Sequence, residues 1–237
     1  MSSRHALLTF ALACILLPAL AQAGRPLASD DASTAEHGAC QVETWFERSG
    51  NGHALVAAPA CGVADGMEVG FDYTRPHPRD PVRASAGLAL KWVPEGGKMS
   101  TAFGELTFGL KMAAAYDHPS DAGWRRAETS VLALATLQAS DSVTAHVNLG
   151  AAREHEGGST ASLLNLAIVW SPHDRTVLFA ERQMNDKRSV FGGAVNTVDA
   201  RWWLAKDRWG LDLTTSHQSG VGSASWTLGL GWYGVSL

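Results

Sequence analysis

Beyond its first two dozen residues the chain lacks any apolar run long enough to cross a membrane as a helix, for which roughly 18 consecutive apolar residues are needed. It also lacks a helical hydrophobic period, which leaves strands as the building element. Cysteine is scarce, at 3 of 237 residues, and no His or second Cys pair sits at ligand spacing, so no metal site is expected. Lysine plus arginine number 19 against 23 acidic residues, with no basic block; nucleic acid is therefore not an expected partner. The glycine pairs Gly157-Gly158 and Gly192-Gly193 carry no Lys-Ser/Thr ending and no following helix, so they do not read as phosphate cradles. No cofactor is expected.

The N-terminus is more informative. Arg4 precedes an apolar run from Ala6 to Leu20, and Ala21-Gln22-Ala23 follows. A charged start, a hydrophobic core and a small-x-small site in that order read as a signal peptide over residues 1–23, removed near Ala23. Cys14 is preceded by Ala11-Leu12-Ala13, a poor match to a lipoprotein pattern, and falls within the discarded segment. Export to an oxidising compartment lets the two remaining cysteines, Cys40 and Cys61, form a disulfide. Residues 24–39 are rich in Ser, Asp, Ala and Thr without period and read as a flexible polar leader.

From residue 40 to 237 one pattern repeats: about ten residues alternating apolar with small or polar, then a turn rich in Gly, Asp, Pro, Ser or Asn. Strands are predicted near 40–48, 53–62, 67–75, 84–93, 103–115, 126–138, 143–153, 161–170, 176–184, 195–205, 209–218 and 224–236, about twelve in all, within a range of roughly 10–14. One strand face is greasy: Met67, Val69, Phe71 and Tyr73; Leu88, Leu90 and Trp92; Leu106, Phe108, Leu110 and Met112; Leu164, Leu166, Ile168 and Trp170. The other carries Glu68, Asp72, Lys91, Glu105, Lys111, Glu128, His146, Asn148, Asp199, Arg201 and Asp212, the polar residues a barrel would turn towards its lumen. A soluble β-sandwich alternates in the same way.

Two features point to a membrane barrel instead. Long connections at Pro76–Arg83, Asp117–Trp124, Arg153–Thr160 and Asn185–Ala194 contrast with short ones at Ser140-Asp141, Pro172-His173-Asp174 and Lys206-Asp207, the asymmetry of outer-membrane barrels. Pro94–Thr101 is long as well, and counted along these strands the long connections do not all share one parity, so at least one strand in the first half is expected to be miscounted. The second feature is the placing of Trp92, Trp170, Trp202, Trp209 and Trp232 near strand ends, where amphipathic rings sit at a lipid–water boundary. Tyr73, Tyr116, Trp124, Phe191 and Trp226 also lie at strand ends or in adjoining loops.

Over residues 40–237 the chain resembles the outer-membrane β-barrel proteins of Gram-negative bacteria, and more loosely the porin-like barrels. The resemblance is most specific in the last strand, Trp226–Leu237, where Tyr233, Val235 and Leu237 alternate. Family members usually end in an aromatic residue read by the outer-membrane assembly machinery, and Leu237 departs from that. The Cys40 and Trp45 region is similar to a group of uncharacterised proteobacterial outer-membrane proteins. The resemblance implies an all-β antiparallel up-and-down transmembrane barrel, located in the cell outer membrane, with lipid and lipopolysaccharide as surroundings.

A barrel hydrolase would need a Ser and His pair, and the candidates are Ser130, His146 and Asn148; His146 reads more readily as a polar wall residue, so no enzyme is expected. The Glu154-His155-Glu156 run reads as a solvated charged loop rather than a cation site. Mixed charge on the polar face and a modest strand count imply a narrow lumen, hence a narrow channel or small-molecule transport barrel, with a non-conducting structural or binding barrel as the alternative. Two registers follow from turns. A turn at Lys206-Asp207 sets Arg201 against Asp212 and Trp202 against Leu211. A loop centred between Gly50 and Asn51 sets Cys40 against Cys61, whereas an Asn51-Gly52 turn would set Cys61 against Val42; bridging favours the first.

Overall fold

The computed structural model describes residues 28–78 and 81–236. The signal peptide, Ala23, the first leader residues and Leu237 lie outside the described residues. Thirteen strands form: β1 (Ala39–Ser49), β2 (Gly52–Ala64), β3 (Met67–His77), β4 (Val82–Trp92), β5 (Lys98–Thr101), β6 (Gly104–Pro119), β7 (Arg125–Ser140), β8 (Val143–Glu154), β9 (Thr160–His173), β10 (Thr176–Asn185), β11 (Val195–Ala205), β12 (Trp209–Gln218) and β13 (Ala224–Ser236). Each strand pairs antiparallel with its neighbours, β1 pairs with β13, and β4 pairs with β6. The result is a closed barrel of 12 strands. Closure leaves no free edge among the described wall strands, each of which is hydrogen-bonded to a neighbour on both sides.

The twelve predicted strands are the twelve wall strands, and the expected miscount is corrected. All of the long connections named above except Pro94–Thr101 lie at the end away from the termini. The exception holds a 3-10 turn at Glu95–Gly97 and the short β5, which pairs only with β6 as a hairpin appended to the wall. Counting therefore stays in step. A single helical turn, α1 (Arg188–Phe191), lies in the connection between β10 and β11.

The distribution of polarity is inverted relative to a soluble sandwich. Val69, Phe71, Leu88, Phe108, Met112, Leu166, Ile168, Leu213 and Leu228 are exposed, while Glu68, Lys91, His146, Asn148, Asp199, Arg201 and Asp212 on the alternate positions are buried. Water would penalise such an outer surface, and hydrocarbon would not. Trp92, Trp170, Trp202 and Trp232 are exposed on this outer face near the termini end of their strands, and Trp209 stacks on Trp232 with ring centroids 5.0 Å apart. Tyr73, Trp124 and Trp226 are exposed towards the opposite end. These are two aromatic belts with an apolar band between them.

Both derived registers are present. Gly50 takes φ +56°, a conformation glycine accommodates readily, so the first turn centres on Gly50-Asn51 and Ser49 pairs with Gly52. Cys40 then faces Cys61, with Cα atoms 4.1 Å apart and the two sulfurs bonded. Arg201 pairs with Asp212 and Trp202 with Leu211.

Candidate functional site: the barrel lumen

The leader does not trail away from the barrel as its composition suggested. From Ala28 onward it is seated inside, crossing the lumen from β2 to β10. It enters beside Gly62 of β2, where the Gly38 amide donates to the Gly62 carbonyl at 2.9 Å. A Cβ at Gly62 would lie 2.2 Å and 2.3 Å from the Glu36 and Ala35 carbonyl oxygens, so only glycine lets the leader pass so close to the wall.

A buried segment outside any sheet must find partners for its backbone amides, and here wall side chains supply them. The Ala35 amide donates to Glu68 at 2.9 Å, Ala32 to Thr136 Oγ1 at 2.7 Å, and Ala28 to Glu181 at 3.2 Å; Ser29 also donates to Glu181. Asn148 brackets Asp30, its Oδ1 accepting from the Asp30 amide at 2.7 Å and its Nδ2 donating to the Asp30 carbonyl at 2.8 Å. The Ala32 side chain packs on Leu132 and Leu134 of β7.

Charge locks the same segment in place. Lys91 Nζ lies 2.8 Å from Asp30, 3.2 Å from Asp31 and 3.6 Å from Glu68, and Lys111 Nζ lies 2.5 Å from Asp30. The buried Lys91 and the half-buried Lys111 would be costly in the lumen wall without counter-charge, and the leader provides most of it. Polar composition was read as disorder because the sequence shows no partner for it; the partners are distributed over β3, β4, β6, β7, β8 and β10.

The remainder of the wall holds a second network. Arg201 of β11 donates from Nε and Nη2 to Asp212 of β12 at 2.6 Å and 3.0 Å, and its Nη2 lies 3.5 Å from Glu43 of β1. Tyr233 of β13 donates to Glu43 at 2.5 Å. The guanidinium carbon lies 5.1 Å from the Trp203 and Tyr233 ring centroids, within cation–π range. Thr214 donates to Asp199. Tyr233, read from sequence as part of an apolar alternation, thus points inward.

Among the described residues, three adjoining cavities lie along the lumen. Towards the loops a chamber of ≈ 260 Å³ is lined by Glu47, Thr197, Ser216 and Thr227. It shares Gln183 and Val195 with a chamber of ≈ 470 Å³ lined by Asp72, Lys111, Glu128 and Asn165, with Ala28 of the leader among its lining residues. That chamber in turn shares Asp72, Ala89 and Lys111 with a gap of only ≈ 60 Å³ beside Ser29, Asp31, Glu43 and Glu68. The lumen narrows where the leader lies.

Of the polar candidates, Glu68, Lys91, Lys111, His146, Asn148, Asp199, Arg201 and Asp212 join these two networks or their immediate surroundings, and Asp72 lines the chambers. Glu105 does not join them. It keeps the inward parity of Thr107 but sits at the barrel's open end, exposed and 3.4 Å from Lys98. Sequence reasoning missed Glu43, Glu181, Thr136 and the leader's Asp30 and Asp31. Glu43 and Glu181 had a signal, a charge at an inward position of an alternating strand; Asp30 and Asp31 had none.

The hydrolase candidates are not brought together. His146 is hydrogen-bonded through Nδ1 to Thr136 at 2.9 Å, whereas Ser130 pairs with Ala152, six residues further along β7 and roughly 20 Å away at strand rise. In the charged loop, Glu154 accepts from the Gly157 amide at 2.7 Å, His155 is hydrogen-bonded to Thr129 at 3.0 Å, and Glu156 pairs with Arg125 at 3.1 Å. Among the described residues no acidic, His or Cys group forms a metal-binding cluster.

Solved structures with this fold are outer-membrane barrels. The KdgM porin matches with TM-score 0.61 and 9% identity over 81% of this chain and 98% of its own, and has also been described in complex with disordered oligogalacturonate. The NanC porin matches with TM-score 0.62 and 6% identity over 81% and 98%. An outer membrane channel from Pseudomonas putida F1 matches with TM-score 0.56 and 8% identity over 88% and 100%. No curated protein matches the chain significantly. The family model described as uncharacterised conserved protein UCP029691 matches residues 11–231, nearly the whole barrel and the segment before it, and the chain belongs to that family.

Proposed function

We propose that the protein is a narrow transport barrel of the Gram-negative outer membrane, passing a small-molecule solute. In this reading the N-terminal residues direct export and are cleaved near Ala23, lipid and lipopolysaccharide contact the aromatic belts, and the assembly machinery reads the last strand. The observation that carries the proposal is the tapering lumen. A mainly polar chamber of ≈ 260 Å³ adjoins one of ≈ 470 Å³ with a mixed polar and apolar lining, and together they lead to the leader; a cavity of this size suits a small solute and not a protein or long polymer. The KdgM porin with its oligogalacturonate is a precedent for a barrel of this fold meeting a small-molecule ligand. The test is swelling of liposomes containing the full-length protein in sugars and amino acids of graded size. Uptake that falls off steeply with solute size is the expected result, and no uptake from a barrel shown to be folded would refute it.

One observation favours a second reading, a barrel that does not conduct: the leader is held by paired charges and hydrogen bonds. Under that reading swelling is absent both with the leader seated and with it displaced.

A further inference from the structure

We propose that the inner wall from β4 to β10 is a peptide-binding track, and that residues 28–34 are its displaceable occupant. A short extended peptide of small residues carrying adjacent carboxylates would bind there in trans when the leader is withdrawn. The inference does not rest on solute transport.

The contacts separate into two kinds. One kind reads backbone: Asn148 pairs with both the amide and the carbonyl of Asp30, Thr136 accepts from the Ala32 amide, and Glu181 accepts from the consecutive amides of Ala28 and Ser29. Side-chain amides and carboxylates aimed at successive main-chain groups do for this segment what a neighbouring strand does in β-augmentation. The other kind reads sequence. Lys91 and Lys111 converge on Asp30, with Lys91 also near Asp31, which selects adjacent carboxylates. Ala32 is 4% exposed against Leu132 and Leu134, which selects a small side chain two residues after the first aspartate. A wall that only needed neutralising could have stopped at its own acid, Glu68, which stands directly opposite Lys91 with 3.6 Å between Oε1 and Nζ. This one places main-chain acceptors, a carbonyl donor and two cations along one extended path.

Withdrawal has a defined handle. The leader is tied to the wall at its C-terminal side by passage over Gly62, and a side chain there meets the Ala35 and Glu36 carbonyls. Gly62→Val therefore vacates the track without altering any residue that would contact a peptide spanning 28–34. A second route leaves Gly62 intact: a specific protease site inserted between His37 and Gly38, cut after the full chain has folded, followed by a high-salt wash.

The probe is a fluorescein-labelled peptide with the sequence of residues 28–34, measured by fluorescence anisotropy on the folded barrel in detergent. Saturable binding to both vacated forms is expected, with at least about ten-fold weaker binding to the uncut wild type. Asn148→Ala in the vacated barrel and N-methylation of the peptide at Asp30 and Ala32 should each weaken binding at least about ten-fold. Absence of saturable binding to either folded, vacated form would overturn the proposal. Equal binding of the N-methylated peptide would also overturn it, because the site would then hold anions without reading a backbone.

Discussion

Arg201 of β11 and Asp212 of β12 stand directly opposite each other on the inner wall, joined by two hydrogen bonds at 2.6 and 3.0 Å. The pair is buried, with side-chain exposures of 1% and 3%. Removing the cation leaves Asp212 without its two charged hydrogen bonds, beside a second carboxylate, Glu43, next to Trp203, Phe179 and Tyr233. Arg201→Met should therefore destabilise the barrel by about 3–5 kcal/mol, the usual loss when one member of a buried pair is deleted. The midpoint of urea unfolding in lipid vesicles reads this directly, and a change within error would mean that the network contributes little.

The outer face has the opposite requirement. Met112 lies mid-strand on β6 and is exposed among Leu88 and Val131. Met112→Arg places a charge near the centre of the hydrocarbon and should cost about 2–4 kcal/mol in the same assay. An exposed loop position such as Val221, changed to Arg, should show almost no effect. If the two substitutions cost the same, the apolar band does not face lipid.

The disulfide makes its own prediction. Cys40 and Cys61 close a loop with a sequence separation of 21, for which loop entropy gives a stabilisation of about 3 kcal/mol. Cys61→Ser should lower stability by about that amount. Mass analysis of alkylated, unreduced protein from cell envelopes should find no free thiol at either position.

Much of this architecture was legible in the sequence because a β-barrel writes its two faces into alternate residues. The wall strands, the outward Leu166, Ile168 and Trp170, and the inward Lys91, His146 and Asp199 all follow from period two. Registers at Arg201–Asp212 and Cys40–Cys61 were legible because short turns fix which residues oppose. What alternation does not encode is what crosses the lumen. Asp30 and Asp31 sit in an aperiodic segment, and their partners Lys91, Lys111 and Asn148 lie 61, 81 and 118 residues away. Alternation places Tyr233 but does not show its partner: the ring's hydroxyl reaches Glu43, 190 residues away in sequence.

The chambers towards the loops carry carboxylates from Glu47, Asp72 and Glu128, while Lys111 is engaged by Asp30. Rings of carboxylate favour cations. Under a salt gradient the reversal potential should indicate cation preference, and the double substitution Glu47→Gln with Glu128→Gln should move it towards zero. Anion preference in the wild type would contradict this reading of the lumen.

The central claim is that this barrel conducts and that its leader sets the size of the opening. Single-channel recording in planar bilayers, comparing the wild type with Gly62→Val, addresses both parts at once. Discrete openings of small conductance are expected for the wild type, and a conductance several-fold larger for Gly62→Val. Electrically silent membranes with both proteins, each shown to be folded by its altered gel migration before boiling, would contradict it.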